Sequence, residues 1–214
     1  MTYLELVNAV LRKLREEEVT AVSENDYSKL IGDFVNDALN LVEASWDWSS
    51  LRTEIDITTV QGQDTYSLTD FNIRGELMSL YNVTKKQQLD QRTKAYVKDK
   101  QYKTDSQGAP RYFALNGVDS NNDTQVTVHP IPDQAYVLEA NVVLRNQSLQ
   151  NDADTTKLPT LPIVQHAFAY ALRERGETGG QSAMEQSVTA QNDLANAIAL
   201  DAGNNSGELV FDVH

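Results

Sequence analysis

Hydrophobic positions near the N-terminus recur at three- and four-residue spacing. Leu4, Val7, Val10, Leu11 and Leu14 fall on one face of a helix over residues 2–17, and Tyr3 and Leu6 widen that face. Thr2 with Glu5 three residues on carries the signature of a capping box. A short loop near residues 19–23 follows, and Ser23 with Asp26 predicts the start of a second helix over residues 24–45. Its apolar face is Ile31, Phe34, Val35, Ala38, Leu41 and Val42, closed by Trp46-Asp47-Trp48, which holds the chain's two tryptophans. So short a loop predicts antiparallel neighbours. Neither helix can bury its stripe alone.

After Trp48 the period falls to about two. Ile55 and Ile57 alternate with Glu54, Asp56 and Thr58 in a first strand, Gln61-Gly62-Gln63 is a turn, and Tyr66-Ser67-Leu68 reads as the return strand. Residues 77–83 predict another strand. Residues 89–101 predict a short helix around Tyr96 and Val97, broken by Gly108-Ala109-Pro110. Strands follow over 111–115, 125–129 and 136–144, with a polar loop over 116–123; in the last strand Tyr136, Leu138, Ala140 and Val142 share one face. A polar stretch over 147–160 precedes a helix restarted by Leu161-Pro162-Ile163, with Ile163, Ala167, Tyr170 and Ala171 inward. A final helix over 181–202 presents Met184, Val188, Leu194, Ala195, Ile198 and Ala199 and stops at Gly203.

The order helices, sheet, helices predicts an α+β fold: a four-helix bundle formed by the N- and C-terminal helices with an inserted, mostly antiparallel β domain. Residues 1–50 form the N-terminal helical pair, 51–146 the inserted β domain, 160–203 the C-terminal pair completing the bundle, and 204–214 a flexible C-terminal tail.

Composition narrows the functional classes. With 214 residues the chain is long enough for one sizeable core, or for two small layers sharing one, and without cysteine it has neither a disulfide scaffold nor a thiolate zinc site. The first residues lack the basic region of a signal peptide, and no apolar run is long enough to span a membrane. The net charge of −13 is unevenly spread: residues 1–50 hold four basic and ten acidic groups, residues 160–214 two and seven. The exception is the segment of Lys85, Lys86, Arg92, Lys94, Lys98, Lys100 and Lys103 against Asp90 and Asp99. Phosphate binding over the whole surface is disfavoured, because it needs clustered Lys and Arg. Acidic helices serve solubility, or form a wall that DNA passes without sticking.

Catalytic chemistry finds little support. His129, His166 and His214 have no metal-ligand spacing, no Gly-x-Ser-x-Gly elbow occurs, and Gly176, Gly179 and Gly180 lack a following Lys-Ser or Lys-Thr. The acidic pairs Glu16-Glu17 and Asp152 with Asp154 read as surface features. No catalytic, cofactor-binding or metal site is expected. Three other features stand out. Trp46 and Trp48 either plug the junction between the helical and β layers or anchor an interface. The basic segment is either an exposed element or a charged contact, for which an acidic copy of the same chain is a ready partner in head-to-tail assembly. Leu209, Val210 and Phe211 form a short apolar patch behind a flexible linker, packed on its own chain or docked on a partner.

The segments Leu6-Val7-Asn8-Ala9-Val10-Leu11-Arg12-Lys13-Leu14, Phe34-Val35-Asn36-Asp37-Ala38-Leu39 and Trp46-Asp47-Trp48-Ser49-Ser50-Leu51 resemble the head-to-tail connector family of short-tailed bacteriophages, the adaptor or tail tubular A proteins. So do Pro110-Arg111-Tyr112, Val128-His129-Pro130-Ile131-Pro132, and Leu158-Pro159 ahead of Ala167-Phe168-Ala169-Tyr170-Ala171-Leu172, in the same order. The resemblance implies a helical bundle bearing a β domain and a ring, usually of twelve identical subunits, between the portal protein and the tail nozzle protein. It implies DNA passing through the lumen without specific binding, no membrane, and a portal-docking role for the C-terminal region with Leu209, Val210 and Phe211. The competing reading is a small ligand- or carbohydrate-binding β module on a helical scaffold, which predicts a concave aromatic pocket drawn from Tyr66, Tyr81, Tyr112 and Tyr136.

Overall fold

The computed structural model describes residues 1–72, 74–103, 106–145, 148–176 and 181–204. Among these the chain is mixed α+β, with five α-helices and one seven-stranded sheet. It divides into two compact units, Met1–Ser50 with Gln147–His214, and Leu51–Asn146.

In the helical unit, α1 (Tyr3–Lys13) begins with the capping box expected of Thr2 and Glu5. It ends earlier than the apolar spacing suggests. Arg15 turns left-handed at φ 59°, and the N–H groups of Arg15 and Glu16 donate back to the carbonyls of Arg12 and Leu11. This is the Schellman closure, with arginine where glycine is usual. α2 (Asp26–Ala44) is capped by Asn25 paired with Ser28, not by Ser23: the Ser28 N–H donates to the Asn25 side chain and the Asn25 N–H to the Ser28 hydroxyl. Its buried stripe is Ile31, Val35, Ala38, Leu39 and Val42. Leu39 takes the place expected of Leu41, which is exposed, because the stripe follows 3.6 residues per turn.

Two asparagines tie loops to these helices. Asn8 exchanges two hydrogen bonds with the backbone of Val19, each 2.9 Å. Asn36 does the same with Leu149 at 3.0 Å and also donates to the Tyr3 hydroxyl. α4 (Thr160–Glu174) buries Ile163, Ala167 and Ala171 as expected and closes at Gly176, φ 78°. α1, α2 and α4 pack against one another, and α5 (Gln181–Asn204) lies along α4. Ala190 is buried in α5 and Leu194 and Ile198 half-buried, but Met184, Val188, Ala195, Ala199 and Leu200 face solvent. The closed four-helix bundle expected from the sequence is not confirmed by this packing.

The second unit holds β1 (Arg52–Thr58), β2 (Thr65–Asn72), β3 (Glu76–Asn82), β4 (Gln87–Gln91), α3 (Lys94–Lys103), β5 (Tyr112–Val118), β6 (Asp123–His129) and β7 (Val137–Val143). The strand order is β1-β7-β3-β4-β5-β6-β2. Every pair is antiparallel except β4–β5, whose parallel alignment requires a crossover, and α3 supplies it. β2 is therefore not the hairpin partner of β1. The connection between them is diverted: the N–H of Thr59 donates to Tyr136, that of Gly62 to Pro132, and Val128 donates to Asp64.

The edge strands β1 and β2 approach each other, so the sheet curls round one interior. All seven strands contribute to it, including Ile57, Phe71, Leu80, Leu89, Phe113 and Val128, together with Tyr136, Leu138, Ala140 and Val142 on the predicted face. Two local expectations change. Residues 87–91 form a strand because Leu89 must enter this core, and the helix starts only at Lys94, after Thr93 caps it. The polar stretch after Leu115 begins as strand, carried to Val118 across a bulge at Gly117, φ 83°. The turn that follows is organised by the Asp119 carboxylate, which accepts from the N–H groups of Asn121 and Asp123.

Candidate functional site

The two tryptophans take different environments. Trp48 is 1% exposed and its Nε1–H donates to the Val42 carbonyl at 2.7 Å, satisfying an acceptor freed at the end of α2. Trp46 is half-buried, and its Nε1–H donates to Asp201 in the last turn of α5 at 2.9 Å. The same carboxylate accepts from the Ser49 N–H at 3.1 Å and from the Ser49 hydroxyl. Asp201 thus pins α5 to the chain leaving α2. Sequence reading missed it, because an acidic residue in a polar helix 155 positions away gives no local signal.

The basic segment is split by β4. Lys85 and Lys86 sit in the turn before it, Lys86 at φ 53°, with the Lys85 ammonium 5.8 Å from the Tyr136 ring centroid. Arg92, Lys94, Lys98, Lys100 and Lys103 gather beyond the far end of β4, separated from the turn by a strand of roughly 17 Å. Within this second group, the Arg92 guanidinium lies 5.8 Å from the centroids of both Tyr96 and Tyr112, which meet edge to face at 5.7 Å. Lys100 lies 5.6 Å from the same Tyr96 ring. Such cation–aromatic contacts hold charges in place without neutralising them. Arg92 also pairs with Asp90 at 3.2 Å and Lys103 with Asp99 at 2.8 Å. Below the helix, Asp64 receives Gln101 at 2.9 Å and Lys98 at 3.4 Å. Burial pushes the Asp64 carboxyl up, but hydrogen bonds from Gln101 and Thr65 and the Lys98 charge outweigh it, so its pKa lies below the usual value. His129 is buried in β6 and held below the usual histidine range by that burial and by the Lys100 charge.

Leu209, Val210 and Phe211 lie outside the described residues. Three of the four tyrosines of the competing reading take separate places. Tyr66 and Tyr136 are buried in the sheet core; the Tyr66 hydroxyl donates to the Gln63 carbonyl at 2.7 Å and that of Tyr136 to Asp133 at 2.6 Å. Tyr112 packs on Tyr96. His166 in α4 is buried, held below the usual histidine range by that burial, and its Nε2 has no hydrogen-bond partner. Among the described residues no group of three His, Asp or Glu side chains is placed to hold a metal ion, and no helix is long and apolar enough to cross a membrane.

Charge divides sharply between the units. The helical unit carries 7 basic and 19 acidic groups, a net charge of −12; residues 51–146 carry 11 and 12, a net of −1. An open groove of about 530 Å³ on the helical unit sets acidic side chains beside half-buried aromatic rings. It is lined by Phe34, Asp37, Tyr170, Arg173 and Glu174, with the Phe34 and Tyr170 rings edge to face at 6.3 Å.

The sequence model described as SU10 adaptor protein matches residues 1–208. Among curated proteins, none matches the sequence.

Proposed function

Since the chain belongs to the SU10 adaptor protein family and is a bacteriophage structural adaptor, a virion component that works against other head and tail proteins, we propose that it forms the ring between the portal and the tail nozzle. In this reading about twelve identical subunits surround a lumen through which DNA passes during packaging and ejection. The family match over nearly the whole chain carries the proposal. The concentration of negative charge on the helical unit supports a conduit role, since an acidic wall does not trap a duplex.

The mechanism is assembly, not catalysis. The helices of the terminal segments close into a bundle when neighbours cover the apolar side chains that α5 leaves in solvent. Trp46 and Trp48 fix the end of α2 where the chain passes into β1, and the segment with Leu209, Val210 and Phe211 docks on the portal. At physiological salt the free protein is monomeric and the portal templates ring closure, because a ring closed before packaging would be mistimed. Electron microscopy of the protein alone and mixed with purified portal tests this. Rings are expected only in the mixture; a closed ring without portal removes templating, and no ring in the mixture removes the adaptor reading.

A further inference from the structure

Among the described residues, the basic surface of Arg92, Lys94, Lys100 and Lys103 around α3 is neutralised only in part: Asp90 pairs with Arg92 and Asp99 with Lys103, while Lys94 and Lys100 make no ion pair. The face is also ordered. Tyr96 lies between Arg92 and Lys100, and Tyr112 closes on Arg92 from the other side, so the positive groups are fixed before any partner arrives. A fixed array of cations beside exposed rings fits a partner surface that combines carboxylates with apolar or aromatic area.

The helical unit of the same chain is such a surface. It carries nearly all of the net negative charge, and its groove between α2 and α4 sets Asp37 and Glu174, together with the cation Arg173, around the Phe34–Tyr170 pair, leaving the groove net negative. We propose that the α3 face of one copy docks on the α2–α4 groove of a second copy, with Arg92, Lys94 and Lys100 meeting Asp37 and Glu174. The two patches are different and complementary, so the contact is head-to-tail. Contacts of that kind propagate, and they close into a ring when the rotation allows. Each contact is weak alone, because exposed ion pairs contribute little in salt. Held by two neighbours and a template, the same contacts act at high effective concentration. The inference rests on the ring reading above and names the surfaces that would make it.

A charge-swap experiment decides the matter. One variant carries Lys94→Glu with Lys100→Glu; the other carries Asp37→Lys with Glu174→Lys. All four side chains are exposed, so both variants keep the wild-type circular dichroism spectrum and melting point, which is checked first. Sedimentation velocity at low ionic strength and high protein concentration is then run on the wild type, each variant and their equimolar mixture. The wild type is expected to associate weakly and to lose the association as salt is added. Each variant alone should associate on the order of tenfold more weakly per reversed charge, and the mixture should recover at least the wild-type level. Association of either variant equal to wild type, a mixture no stronger than its components, or a wild type monomeric at all salt concentrations overturns the proposal. Addition of portal separates the two ideas. Rings formed equally by wild type and both variants retain the adaptor function and discard this contact, whereas no ring from any of them discards the function itself.

Discussion

Replacing Trp48 with alanine is the sharpest test of how the helical unit is held at its exit. Trp48 is the largest of the fully buried side chains, and its indole N–H satisfies the Val42 carbonyl at 2.7 Å. Truncating a buried aromatic to alanine costs about 3–5 kcal/mol through lost transfer energy and the cavity left behind. The orphaned carbonyl adds up to about 1 kcal/mol, less if water enters to replace the indole. For a chain of this size the loss corresponds to a fall in melting temperature of roughly 6–20 °C. Trp46→Ala should behave differently. That indole is half-buried and makes one hydrogen bond, to a carboxylate that keeps Ser49 as a donor, so the loss should stay near 1–2 kcal/mol, about the value of one charge-assisted bond and partial burial. The assay is urea unfolding followed by circular dichroism, since either substitution removes half of the indole fluorescence. A Trp48→Ala loss under about 1 kcal/mol, or equal losses at the two positions, would refute the assignment of the plug to Trp48.

Arg15→Gly should stabilise the protein by about 0.5–1 kcal/mol, because it relieves a left-handed backbone at the Schellman turn; a lower urea midpoint would contradict this. Gly32→Ala should destabilise it by about 1–3 kcal/mol, since the added Cβ would collide with the Tyr3 hydroxyl and with Val22 on a buried face; a thermal melt equal to wild type sinks the close-packing argument. Stability should decline as pH falls below about 6.5, because His129 and His166 are held neutral in the folded state while their unfolded forms take up protons from that pH downward. Urea midpoints of wild type and His166→Phe between about pH 7.5 and pH 5.5 check it, the variant being expected to show the shallower decline and identical slopes counting against it. Asp64→Asn should loosen α3, because it removes the charge that holds Lys98 and leaves one neutral amide oxygen in place of the two carboxylate acceptors shared by Gln101 and Thr65; unchanged hydrogen-exchange protection across residues 94–103 would show that α3 is held by other contacts.

Local chemistry was legible wherever neighbours in sequence are neighbours in space. The Thr2–Glu5 capping box, the Ile31–Val42 stripe apart from Leu39 and the alternating face of β7 all follow from spacing of two, three or four residues. Family resemblance was likewise carried by short segments in fixed order, and the family model matches residues 1–208. Long-range pairing was not legible. β1 and β2 are adjacent in sequence, yet they sit at opposite ends of the strand order, because the backbone between them bonds to the β6–β7 connection and no hairpin turn outweighs those bonds. Asp201 meets Trp46 across 155 residues, and Arg92 finds Tyr112 only after α3 has carried the chain across to a parallel strand. The sequence by itself determined most of the helix and strand content, the position of the charge and the family. Tertiary structure decided which edge each strand took, which apolar face of α5 stayed in water and which cations were fixed on rings, because those outcomes depend on contacts whose partners no periodicity encodes.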